Sequence, residues 1–149
     1  MYSKFQNIET PFYYYDTALL EATLKAIRDE IKPYPHFHVH YAIKANANPR
    51  LLSIIQQAGF GVDCVSGGEI QVAINAHFPT NSIVYAGVGK SDKEIIIGLR
   101  NNIFCFNVES IPELEVINQL AVKENTIANV CLRINPDVSP HTHANIITG

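Results

Sequence analysis

Lys44 sits in the run Tyr41-Ala42-Ile43-Lys44-Ala45-Asn46-Ala47-Asn48-Pro49. The residues before it are apolar and read as the end of a buried strand, and Asn48-Pro49 stops that strand and opens a helix. A lysine at such a tip is expected to be desolvated. Burial disfavours the ammonium and lowers its pKa, and a neutral amine can attack an aldehyde to form an imine. The alternative is an exposed lysine just past a strand end.

Other residues extend the pattern. Asp63 lies in the apolar run Gly61-Val62-Asp63-Cys64-Val65, where a carboxylate is costly unless it is paired or hydrogen-bonded. Lys44 or a bound cofactor would satisfy it. Arg133 lies in Val130-Cys131-Leu132-Arg133-Ile134-Asn135. It calls for a carboxylate such as Asp63, a substrate acid or a cofactor phosphate; a structural ion pair across neighbouring strands is the alternative. Ser66-Gly67-Gly68-Glu69 opens a helix with Ser66 as cap and Glu69 as the acid of a capping box. Its free N–H groups suit an anion or a plain tight turn. Gly87-Val88-Gly89-Lys90 lacks the spacing of a nucleotide-binding loop and reads as a strand-to-helix turn with weak phosphate-binding potential. His36, His38 and His40 alternate and so share one strand face. They precede Lys44, at the amino-terminal end, and read as loop or strand-start residues. His141 and His143 lie in a polar turn without an acid partner, which makes weak metal ligands.

Elements must hold these residues in place. Thr10 to Asp16 reads as a short aromatic strand, and Ala18 to Ile31 as a helix capped by Asp16 or Thr17. Strands at 37–43, 62–65, 82–86, 103–108 and 127–135 then alternate with helices at 50–58, 68–76, 92–99 and 111–123. Short Val- and Ile-rich strands between helices mean βαβ units and a parallel sheet, expected to be covered on both faces. No GxGxxG follows the first strand. Lys44, Asp63, Asn107 and Arg133 all fall at the carboxyl ends of strands, where barrel enzymes carry their chemistry. The expected fold is α/β: about five strands suit either an open doubly wound sheet or part of an eight-stranded barrel, and the strand-end chemistry points to part of a (β/α)8 barrel, about five of its eight parallel strands. Residues 1–35 form a lead-in of strand and helix, and 36–149 the first part of the barrel.

A net charge of −3 leaves no basic patch for nucleic acid or an anionic membrane. No apolar run approaches the roughly 20 residues of a membrane span, and Met1 to Pro11 lacks the apolar region of a signal peptide. The expectation is a cytoplasmic protein. Cys64, Cys105 and Cys131 are far apart in apolar runs, and are expected to be buried, reduced thiols.

Taken together, Tyr41 to Asn46, Gly61 to Glu69, Asn107 to Ser110 and Leu132 to Val138 resemble the pyridoxal-phosphate decarboxylases of the alanine-racemase fold type. Within that family they look most like the branch that converts meso-diaminopimelate to lysine. The ending Thr142 to Gly149 resembles the same branch. The resemblance implies that Lys44 holds pyridoxal 5'-phosphate covalently, and that Asp63, Glu69 and Arg133 lie around the cofactor. It implies that the Phe12–Tyr15 strand joins a separate C-terminal β domain, and that the enzyme is a homodimer sharing substrate contacts across its interface. It also implies that a ring-stacking histidine, the Gly-rich phosphate loops and the acid at the pyridine nitrogen lie further downstream. The chain is therefore expected to be an N-terminal piece, inactive alone. Other basic-amino-acid decarboxylases, a non-catalytic cofactor-binding relative, a lysine-dependent aldolase and a His-x-His metal hydrolase are the competing readings.

Overall fold

Among the described residues, five parallel strands form one sheet in the order β1-β2-β3-β4-β5. They are β1 (His40–Ala42), β2 (Gly61–Cys64), β3 (Ile83–Tyr85), β4 (Cys105–Val108) and β5 (Val130–Leu132). The structure is a computed structural model and describes residues 5–136. The turn at Asn135-Pro136-Asp137 therefore runs out of the described residues, and His141, His143 and the ending Thr142 to Gly149 lie outside them.

Five α-helices alternate with the strands: α1 (Thr17–Ile31), α2 (Pro49–Gln57), α3 (Gly67–Asn75), α4 (Asp92–Arg100) and α5 (Ile111–Lys123). Their starts follow the expected caps. Asp16 accepts from the Leu19 N–H at 3.1 Å, and Asn48 from the Arg50 N–H at 3.0 Å with Pro49 opening α2. The motif Ser-x-x-Glu begins α3, α4 and α5 at Ser66, Ser91 and Ser110. In α4 the Glu94 carboxylate accepts from the N–H of Ser91, the cap itself. In α3 and α5 it reaches one residue further back: Glu69 accepts from Val65 N–H at 2.8 Å, and Glu113 from Glu109 N–H at 2.9 Å. The Ser66 box thus forms with its return bond displaced by one residue.

The sheet's two faces differ. Side chains alternate along a strand, and one set faces the helices: Val62, Cys64, Ile83, Tyr85, Phe106 and Val108 pack with Leu52, Ile70, Ile95, Leu99 and Ile117 in one core. Gly98 lets α4 settle on the sheet, since a Cβ there would come within 2.7 Å of the Phe106 ring. The other set holds Ala42, Asp63, Val84, Cys105, Asn107 and Cys131, as the strand register requires. Among the described residues the helices pack on the first face only, although Val84 and Cys105 on the second are buried, so the expectation of a sheet covered on both faces by helices is corrected for them. A strand order that never reverses gives no switch point. Sequential order with helices on one face is the arrangement of a (β/α) barrel, here over five strands.

Two expected strands shrink. The 37–43 strand is reduced to His40–Ala42, because its only ladder is with β2, beginning at the His40–Gly61 pair. The 127–135 strand is reduced to Val130–Leu132, an edge strand with exposed residues. Residues 10–16 form no strand, because no segment among the described residues pairs with their backbone. Phe12, Tyr13, Tyr14 and Tyr15 are exposed instead. Cys64 and Cys105 are buried, but Cys131 is exposed on the edge strand, against expectation. Burial pushes the thiols of Cys64 and Cys105 up to about 12, aided at Cys64 by the nearby Glu69 and Asp63 charges and at Cys105 by Cys131.

Candidate active site

The carboxyl ends of the strands gather the candidate residues. Lys44 lies in a one-turn 3-10 helix, Ile43–Ala45, directly after β1. Ile43 anchors this turn by being fully buried. Lys44 itself is exposed, which corrects the expectation of a buried amine: it has left the strand before the core ends. Its ammonium has no hydrogen bond or ion pair within the described residues. The turn is held by Asn46. Its N–H closes onto Ile43 C=O at 3.0 Å, its C=O accepts from the Tyr41 hydroxyl at 3.1 Å, and its Nδ2 donates to the Tyr15 hydroxyl at 2.8 Å.

Asp63 is the penultimate residue of β2, on the sheet face opposite the helices. Its Oδ1 is buried and has no hydrogen-bond partner among the described residues. An acceptor in that state is costly unless a donor arrives, so the site offers an unmet bond one strand away from Lys44. Glu69 is committed to the Val65 N–H, as the local reading of a helix-cap acid anticipated.

Arg133 follows β5, and its Nη1 donates to both Glu109 oxygens at 3.2 and 3.1 Å. Glu109 follows β4, so this is the ion pair across neighbouring strands, and Asp63 is not its partner. The Arg133 side chain is 67% exposed while that of Glu109 is 11% exposed, so most of the guanidinium surface faces outward. Glu109 also accepts from Gly87 N–H at 3.3 Å.

Sequence reasoning missed Lys90. Its side chain is 1% exposed, and its ammonium donates to Gly87 C=O at 2.7 Å, Asn107 C=O at 2.8 Å and Glu113 Oε1 at 2.6 Å. A lysine has three N–H donors, and all are used. Its Nζ also lies 5.3 Å from the centre of the Tyr85 ring. Lys90 itself has no donor to spare for a phosphate. Gly87, at φ +103, turns the chain so that Lys90 folds back. The signal available in the sequence was the acid pair Glu109 and Glu113 beside an apolar strand.

Between these two ends, Glu94 reaches across to the start of α3 and accepts from Gly67 N–H at 2.9 Å. Hydrogen bonds from the Ser91 hydroxyl, Gly67 N–H and Ser91 N–H hold the Glu94 carboxyl below its usual range. Burial, followed by the charge of Glu94, raises the Tyr85 phenol. The Gly67 N–H is thus not free for an anion. His40 begins β1 with its ring stacked on Phe104, centroids 6.1 Å apart, while His36 and His38 are exposed before it. The described residues hold no cluster of three or more His, Cys, Asp or Glu able to bind a metal, and no helix long and apolar enough to cross a membrane.

The family model described as pyridoxal-dependent decarboxylase, pyridoxal binding domain, matches residues 18–149. A diaminopimelate decarboxylase of Bacteroides thetaiotaomicron is 65% identical over 146 residues, covering 98% of this chain and 38% of the relative. One from Aquifex aeolicus is 43% identical, covering 97% and 34%. The crystal structure of diaminopimelate decarboxylase from Helicobacter pylori complexed with L-lysine superposes with a TM-score of 0.84 at 39% identity, covering 97% of this chain and 36% of that one. The chain thus spans less than two fifths of the length of these relatives. Resemblance read from four motifs, a match running from α1 to the last residue and a superposition over nearly all of the chain agree: it belongs to the pyridoxal-dependent decarboxylases, in their pyridoxal-binding domain.

Proposed function

We propose that the protein carrying this chain decarboxylates meso-2,6-diaminopimelate to L-lysine and carbon dioxide, with Lys44 as the residue that binds pyridoxal 5'-phosphate covalently. The observation that carries the reading is 65% identity, over almost all of the chain, to a relative named for that reaction. The family supplies the cofactor, and the residues fit it: an exposed amine on a pinned turn and an orphaned carboxylate oxygen on the next strand.

When bound, pyridoxal phosphate supplies an aldehyde for the lysine amine and a ring that takes up the electrons left when the carboxylate departs. In this proposal Lys44 is the residue that would hold the cofactor, its amine presented by the turn after β1. Asp63 Oδ1, without a partner among the described residues, would accept a hydrogen bond from a donor on that group. Arg133 turns its exposed guanidinium toward an anion while Glu109 fixes its orientation. Glu69 acts from behind, holding the start of α3 against the end of β2. Residues 1–35 lead into the barrel, and 36–149 form its first part. The working enzyme is a cytoplasmic homodimer longer than this chain. The 149 residues alone are inactive, because β1 and β5 present unpaired edges.

A second reading concerns substrate. An L-glutamyl-[BtrI acyl-carrier protein] decarboxylase of Niallia circulans is 40% identical over 134 residues, so this part of the barrel accommodates more than one amino-acid substrate class. Supplying the intact protein with pyridoxal phosphate and meso-diaminopimelate tests the reading. Stoichiometric lysine and carbon dioxide are expected; turnover of ornithine, arginine or a carrier-bound glutamate in preference would replace it.

A further inference from the structure

Four of the polar groups around Lys44 converge on one neighbour. Asn46 closes the Lys44 turn through its N–H to Ile43 C=O, takes the Tyr41 hydroxyl on its C=O, and takes the Asn48 N–H on Oδ1 at 2.9 Å. Its Nδ2 donates to the Tyr15 hydroxyl. Asn48 caps α2, and Tyr15 immediately precedes Asp16, the cap of α1. One asparagine therefore ties together the starts of two helices and the turn between them. A single 3-10 turn has poor hydrogen-bond geometry and little rigidity of its own, and an exposed lysine has no packing to orient it.

We propose that Tyr15 and Asn46 are positioning residues for Lys44: their side-chain hydrogen bond holds the turn so that the amine meets the cofactor aldehyde in one geometry. This rests on the reading of Lys44 given above. Tyr15 comes from outside the sheet, from the exposed aromatic segment before α1, so the clamp reaches across 31 residues of sequence. Tyr41 supports it from below. Burial raises its phenol, aided by Tyr15 and opposed by the bond to Asn46.

The test uses the intact protein and added pyridoxal 5'-phosphate, with variants Tyr15→Phe, Asn46→Ala and Lys44→Ala. The readouts are the cofactor dissociation constant and the pH dependence of the absorbance of the bound cofactor. Tyr15→Phe removes one oxygen from a residue that is 43% exposed, so folding is preserved even if Asn46→Ala proves unstable. Losing one net hydrogen bond of about 1 kcal/mol predicts roughly 5-fold weaker cofactor binding, with a displaced absorbance titration. A merely structural contact would leave that titration unmoved. Unchanged affinity and titration in Tyr15→Phe overturn the clamp while Lys44→Ala still abolishes borohydride trapping of the cofactor. Continued trapping in Lys44→Ala overturns the underlying reading and the clamp with it.

Discussion

Lys44 and Lys90 both follow strands, both stand at the carboxyl end of the sheet, and the chain treats them in opposite ways. Lys90 is enclosed, with each ammonium N–H given to an oxygen. Lys44 is exposed, and the groups that hold its turn are neutral amides and phenols bonded to one another rather than to the amine. A lysine with every donor spent staples loops; a lysine on a rigid turn with its donors unspent can react. The difference also separates two ways of fixing a strand end. The β3 to β5 end is fixed by charge, through Lys90, Glu113, Glu109 and Arg133, and the β1 end by neutral hydrogen bonds.

That contrast predicts a steep difference in stability. Lys90→Met should cost about 3–5 kcal/mol, because Glu113 and two carbonyls lose a buried partner; urea unfolding of the intact protein would measure it. A cost below about 1 kcal/mol would mean that the enclosed network does not form in solution. Arg133→Gln removes only the exposed half of a pair and should cost under about 1 kcal/mol, read in the same unfolding curves. Lys44→Met should change stability by no more than about 0.5 kcal/mol, since nothing in the described fold leans on the amine.

Acid should separate the α3–α4 contact, which lies between the two ends, from the β1 end. Glu94 has a carboxyl lowered by its hydrogen bonds to Ser91 and Gly67. Its stabilising contribution is complete above the ordinary glutamate value and is lost as pH falls through the lower folded value. The contact between α3 and α4 should therefore loosen in acid, below the ordinary carboxylate range, while the Asn46 turn, which has no carboxylate among its hydrogen bonds, persists. Amide exchange followed down that range would show Gly67 and Ser91 losing protection before Asn46 and Asn48. Glu94→Gln should remove the pH dependence of that local contact.

The alternation of strands and helices was readable because helical and strand runs differ in their apolar spacing and each strand is a short apolar run. The helix starts read at 68, 92 and 111 lie within a residue of the observed Gly67, Asp92 and Ile111. Strand lengths were not readable at β1 and β5, where pairing rather than local preference decides the boundary. The site divided in the same way. Lys44, Asp63 and Arg133 stood out as charges in apolar runs. The partner of Arg133 and the burial of Lys90 depend on contacts between residues some twenty positions apart, so the acid pair Glu109 and Glu113 was visible but not which cation each would take. The exposure of Lys44 was misread because Ile43, its neighbour, carries the burial.

Reduction with borohydride after adding pyridoxal 5'-phosphate to the intact protein, followed by peptide mapping, bears most directly on the central claim. The pyridoxyl label should appear on the peptide containing Lys44 and be absent from the one containing Lys90. Label on Lys90, or no label while diaminopimelate is still being decarboxylated, would contradict the assignment of Lys44 as the cofactor lysine.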